Sequence, residues 1–274
     1  MESDLIPPNT VDPAKEASRR EGELVKPFTE HLEDLRKVLI KSLLAVGVVC
    51  AVCFFFTERI VAVYEWPLTS MLGSSPQGVD AGRKILRSLS PADAFMVSLK
   101  AVVVTGLILA SPVVFYLVWS FVRPGLTDRE RRVAIPIFAG GTVCFLTGVA
   151  FCYFVVLRLA LGFFWRYTMS MGVDPDWTIG NYMSFTAMFL LSFGIIFEMP
   201  VLSAFLAWLG LVSGDLLTKN RRYAYVILVF LAAVLTPGPD FVSTLLMLGP
   251  MVILYELSIR VIRMVEKRGM EGKN

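Results

Sequence analysis

Between Ser184 and Leu211 the chain runs SFTAMFLLSFGIIFEMPVLSAFLAWLGL, with one ionisable side chain, Glu198. A helix of that length extends about 40 Å, enough to cross a hydrocarbon core of about 30 Å with tilt. The stretch reads as a transmembrane helix with a carboxylate near its middle. Each Leu, Ile, Phe or Val favours insertion by about 0.3–0.6 kcal/mol, and a central acid opposes it by about 2.5–3.5 kcal/mol. With fourteen such residues in the run, the span tolerates its acid. An ionisable group at that depth marks a functional position. Two residues on, Pro200 has no N–H to give the carbonyl of Ile196. Gly194 lies one turn back on the same face. The expectation is a polar notch on a helix facing a groove or the bilayer.

Five further apolar runs follow the same logic, at about Val38–Thr57, Ser90–Val122, Ala134–Leu157, Ala224–Thr236 and Phe241–Ile259. The chain is 55% hydrophobic, with its apolar residues in long runs rather than alternation. That pattern predicts an all-α polytopic membrane protein with six transmembrane helices. The last two runs are short for a full crossing, one by length and one by the interruption at Pro250. Residues 1–26, rich in Pro, Glu, Lys and Arg, read as a disordered tail. Residues 27–263 form the membrane domain, and 264–274 a basic tail.

The connecting segments carry local signals. Thr29 suits a helix cap, with Glu30, Glu33 and Asp34 in the first turns and Leu32, Leu35 and Leu39 on one face. Arg59–Leu72 is amphipathic, and Trp66-Pro67 suits an interfacial anchor and stop. Ser90-Pro91 with Asp93 opens the second span, and Pro112 predicts a kink in it. The connector RPGLTDRERR places Thr127 and Glu130 at capping-box spacing. A second long loop, 158–183, contains Asp174, Asp176 and Trp177.

Positive charge sets the orientation. The first, third, fifth and last polar segments hold eighteen Lys and Arg residues, against six in the two intervening loops. The positive-inside rule then predicts both termini in the cytoplasm. A net charge of +3 is too weak to predict a nucleic-acid partner.

Catalytic chemistry has little to work with. Cys50, Cys53, Cys144 and Cys152 all lie in apolar runs, which suits small apolar filler, and His31 is the one histidine. No catalytic residue, metal ligand set or cofactor motif is predicted. The acids instead suggest binding. Glu33 and Lys37 are spaced to pair along a helix, as are Glu256 and Arg260. If the acids before the first span converge with Glu130, they form an anionic patch suited to an arginine-bearing peptide. A proton-coupled transporter using Glu198 is the rival reading, but the internal repeat it calls for is not found.

In order, HLEDLR (31–36), SPADAF (90–95), WSFVRPGLTDRERR (119–132), FGIIFEMP (193–200), RRY (221–223), LTPGPD (235–240) and GPMVILYELSI (249–259) resemble the TatC family, receptor subunits of the twin-arginine protein translocase. The resemblance covers about residues 27–263. It implies a concave, glove-like bundle in a bacterial cytoplasmic membrane, without enzyme activity. It implies binding of twin-arginine signal peptides of folded cargo, assembly with TatA, TatB and other TatC copies, and transport driven by the proton-motive force. Asp34 matches the family's N-terminal signal-binding glutamate and Glu130 the first-connector glutamate. Asp34 is one methylene shorter, so Glu33 or Glu30 shares its role. Arg36, Pro67, Phe121 and Pro124 match further important positions. Glu198 matches the glutamate of the concave face, where partners meet, and Asp240 the acid of the turn between the last spans.

Overall fold

Hydrocarbon offers no water to backbone N–H and C=O groups, so apolar stretches close their hydrogen bonds internally as helices. The computed structural model describes residues 28–72, 86–123, 128–236 and 240–271. The N-terminal tail, the loop over 73–85, Pro124, Thr127 and the turn over 237–239 lie outside these. The described elements are α1 (Phe28–Phe54), α2 (Thr57–Leu72), β1 (Leu86–Arg87), α3 (Asp93–Val122), α4 (Asp128–Phe151), a π-helical segment (Cys152–Val156), α5 (Leu157–Ser170), β2 (Trp177–Thr178), α6 (Ile179–Ile196), α7 (Met199–Trp208), α8 (Gly214–Lys219), α9 (Arg221–Leu235) and α10 (Phe241–Glu271).

Among the described residues, five stretches are long and apolar enough to cross a membrane: Leu32–Phe54, Asp93–Val122, Ala139–Ser170, Ile179–Trp208 and Phe241–Glu266. The fifteen residues of α9 make about 22 Å of helix, short of a full crossing. Of the two runs expected to be short, only α9 is. α10 is one helix of 31 residues through Pro250, and it includes residues expected in the basic tail.

Other boundaries shift too. The third run stays helical through the π segment to Ser170, so the expected loop over 158–183 shrinks to the stretch around β2. Arg158 reads as a loop cation in sequence, but it lies over the Trp66 ring, 4.5 Å from its centre. The fourth run starts at Ile179 rather than Ser184.

The fourth run is also the hub. Half of its crossing window is buried, against 6% for α1, which packs chiefly on α3. α6 packs against α3 and α4, while α7 packs against α10. Phe189 and Phe193 of α6 are fully buried in a core shared with Cys152, Val156, Met247 and Met251. The bundle has two distinct ends. One carries the start of α1, the end of α3, the start of α4, and α8. The other carries α2 and a parallel pair in which Leu86 faces Trp177 and Arg87 faces Thr178. Arg87 also meets Asp176 there at 3.1 Å.

Prolines remove helical donors, and neighbouring hydroxyls replace two of them. Pro112 leaves the Ile108 carbonyl without its partner, and the buried Ser111 hydroxyl donates to it at 2.7 Å. The helix runs on through Pro112 without a break. Pro67 does the same to Val63, whose carbonyl accepts the Tyr153 hydroxyl at 2.7 Å. Tyr182 donates to the next carbonyl, Tyr64, also at 2.7 Å. Pro67 is itself fully buried. These bonds fasten α2 to the third and fourth runs.

Close approach of α4 and α6 depends on glycine. A Cβ at Gly148 would stand 2.6 Å from the Phe193 carbonyl oxygen, and one at Gly194 would stand 2.6 Å from the Phe145 ring. Gly194 was expected to leave room on its face; the Phe145 ring fills that room. The first prediction follows. Gly148→Ala should lower the unfolding midpoint in detergent, by overpacking worth about 1–3 kcal/mol. Gly140→Ala, on the same helix with open space around it, should leave the midpoint unchanged or raise it. A second prediction concerns Tyr153→Phe. It strands the Val63 carbonyl and should cost about 1–3 kcal/mol. The cost should shrink in a Pro67→Ala background, where residue 67 can donate to that carbonyl again; a double-mutant cycle on the unfolding midpoint measures this.

Candidate functional site

The sequence places Glu33, Asp34 and Arg36 in the second and third turns of α1, whose dipole favours acids at that end. Lys37 Nζ lies 3.9 Å from both Glu33 Oε2 and Asp34 Oδ1. The pairing read from the sequence is therefore present, and Asp34 shares in it. The Glu33 side chain is largely exposed and that of Asp34 is half-buried. Ion pairs this open contribute little in water. The two carboxylates offer acceptor oxygens onto which an incoming guanidinium can fork.

Packing brings other expected residues to the same end. α1 packs along α3, and α3 packs against α4. Phe121 sits half-buried in the last turn of α3, two residues after the buried Trp119. Glu130 occupies the first turn of α4. The antiparallel order thus sets the start of α1, the end of α3 and the start of α4 at one end of the bundle, with α3 in contact with both other helices. Arg36 is exposed there.

Glu198 lies elsewhere, inside the bundle. The fourth run is interrupted at Phe197 and Glu198, between α6 and α7. The interruption is tight: Glu198 N–H donates to the Ile195 carbonyl at 3.0 Å, and its own carbonyl receives Leu202 N–H at 2.8 Å. Pro200 is buried just inside α7. The polar notch is narrow. Glu198 is 7% exposed, and its Oε1 has no hydrogen-bond partner among the described residues. A Cβ at Gly141 would stand 3.1 Å from Glu198 Oε2 and 3.7 Å from both Phe115 and Val201. The bare glycine face of α4 is what leaves space for the carboxyl. A buried acid oxygen without a donor is costly, and it gives a polar group from elsewhere something to satisfy.

Two expectations resolve as local structure. Asp240 Oδ1 accepts Ser243 N–H at 2.6 Å, which caps the start of α10. Glu256 does not pair with Arg260. Its carboxylate takes Arg221 at 2.7 Å and the Tyr225 hydroxyl at 2.7 Å, both from α9. Helical spacing favoured Arg260, but the crossing of α9 on α10 supplies one arginine N–H to Oε2 and a tyrosine hydroxyl to Oε1.

Sequence reasoning missed further contacts. Asp93 Oδ2 accepts the N–H groups of Leu89 and Ser90 at 2.8 and 2.9 Å, and Ser90 Oγ accepts Ala92 N–H. That is a reciprocal cap, and its spacing was visible in SPAD. Trp66 stacks on Tyr153 with ring centres 5.6 Å apart. No periodicity signals that contact, because the π segment turns Tyr153 out of ordinary helical register. Among the described residues, no group of three or more His, Cys, Asp or Glu could hold a metal. Cys53 and Cys152 are buried as free thiols.

Residues 30–250 match the family model described as Sec-independent protein translocase protein (TatC). The chain is 36% identical over 253 residues to the Sec-independent protein translocase protein TatC of Carboxydothermus hydrogenoformans, covering 90% of this chain and 98% of that one. It is 38% identical over 242 residues to the protein of that name from Desulforapulum autotrophicum, covering 88% and 86%. Its fold superposes on a crystal structure of a twin arginine translocase receptor, TatC, with a TM-score of 0.74 at 30% identity. That match covers 86% of this chain and 99% of the other. The chain is therefore a multi-pass membrane protein of protein transport, not an enzyme, and it belongs to the TatC family.

Proposed function

We propose that the chain is the signal-peptide receptor of a twin-arginine translocase in a bacterial cytoplasmic membrane. The observation that carries this is the juxtaposition of the α1 acids with the end of α3 and the start of α4. Asp34 and Glu130 receive the paired arginines of a signal peptide, with Glu33 or Glu30 sharing the charge. Arg36 and Phe121 complete that surface. Arginine suits this site better than lysine because its planar fork satisfies two carboxylate oxygens at once.

In this reading α9 counts as a sixth, short crossing, which puts both termini on one side. The excess of Lys and Arg at the end bearing the termini supports a cytoplasmic placement. The α2 and β1–β2 end then faces outward, where Pro67 and the Asp240 cap hold the outer structure. TatA, TatB and further TatC copies assemble on the bundle within the lipid bilayer, and the proton-motive force drives export of the folded cargo. Glu198, with its unpartnered oxygen, is the point in the bilayer where a partner's polar group is received.

Export of a folded reporter behind an Arg-Arg signal tests the receptor reading. Reversing both charges, Asp34→Lys with Glu130→Lys, should cut export by more than about tenfold, the scale for breaking desolvated charge pairs. Export at the wild-type level from the double variant would sink the assignment. Glu198→Gln keeps the shape and loses only the charge, so it should reduce export partly with the complex still assembled. Complete loss of transport in an intact complex would instead favour a proton carrier at this position.

A further inference from the structure

One cation inside the crossing helices has no role in the reading above. Lys100 lies in α3, and its Nζ donates to the Ser184 hydroxyl of α6 at 2.7 Å. The Ser184 hydroxyl in turn donates a hydrogen bond to the Gly180 carbonyl at 2.8 Å. An ammonium has three donors, so two remain, and no carboxylate among the described residues pairs with Lys100. The Lys100 side chain borders one end of an open, shallow apolar groove of about 400 Å³ that runs down α6 past Ala187, Met188, Leu191 and Ile195. These residues follow Ser184 at helical spacing on one face, and Met188 and Ile195 are open to the outside at 37% and 61%.

Depth identifies what fits. The crossing stretches Asp93–Val122 and Ile179–Trp208 each have 30 residues. At about 45 Å they exceed a ~30 Å core and leave roughly five residues beyond it at each end. Lys100 and Ser184 lie seven and five positions inside their respective starts, so both sit at the hydrocarbon boundary. From Ser184 to Ile195 the groove descends about 16 Å, which is half the core. A cation at the boundary and an open apolar groove one leaflet long call for an anionic head with a single-leaflet tail. We propose that Lys100, Ser184 and the α6 face down to Ile195 form a binding site for one anionic phospholipid, in the leaflet on the side of α2 and the β1–β2 pair.

Native mass spectrometry of the full chain tests this, with release from micelles containing equal phosphatidylglycerol and phosphatidylcholine. Phosphatidylglycerol adducts should exceed phosphatidylcholine adducts by about fivefold, the ratio set by one interfacial lysine. Lys100→Arg should keep the preference and Lys100→Gln should bring it close to one. Met188→Trp fills the groove, leaves the charge in place, and should lower both adducts. Equal adducts on the wild-type chain, or an unchanged preference in folded Lys100→Gln, would overturn the proposal. If Lys100→Gln does not fold, full phosphatidylglycerol binding by Met188→Trp would overturn it. A dimer signal without lipid preference would assign the groove to a second copy and overturn it equally.

Discussion

A helix in hydrocarbon has to find a donor for every backbone carbonyl that proline strips, because no water is there to supply one. Much of this structure follows from that constraint. The Ser111 hydroxyl repairs the loss at Pro112, and α3 stays helical across that proline from Asp93 to Val122. Tyr153 repairs the loss at Pro67, and the repair comes from a different element, so a local defect becomes a tertiary fastening. Trp66 next to it stacks on Tyr153 and lies under Arg158. One proline thus organises the end of the bundle that carries α2.

The same economy shapes the interior of the fourth run. α4 comes close to α6 because Gly148 and Gly194 offer no side chain, and Phe145 fills the space beside Gly194. Without polar glue or a water-driven hydrophobic effect, such small-residue contacts hold helices together in lipid. The seat of Glu198 beside Gly141 is part of that seam. A carboxyl is therefore enclosed in the most buried crossing of the protein, at the one place where its helix is interrupted. The binding surface at the other level of the bundle is built differently, from exposed and half-buried charge on helix ends that the interior packing sets at one end of the bundle.

Most of the architecture was legible because long apolar runs leave few alternatives. The positions of Asp34, Phe121 and Glu130 at one end follow from alternation of span direction, which sequence supplies. Enclosure of Glu198 was not legible: burial depends on which residue of α4 faces it, and a glycine at position 141 has no signature of its own. Glu256 shows the same limit, since its partners Arg221 and Tyr225 lie 35 and 31 residues away while a suitable arginine stands one turn along. Helix ends were misjudged where cations such as Arg158 looked like loop residues but rest on an aromatic ring. The family resemblance, carried by seven motifs in order, reached further than any single site argument, and the comparisons with known proteins agree with it.

The central claim is that arginine pairs dock where α1, α3 and α4 meet. Photocrosslinking from probes placed next to Asp34 and Glu130 addresses it directly, using a signal peptide with Arg-Arg and its Lys-Lys control. The account predicts crosslinks from both positions to the Arg-Arg peptide and a marked loss with Lys-Lys. Equal crosslinking of the two peptides, or none from these positions while probes elsewhere on the bundle capture the signal, would contradict it.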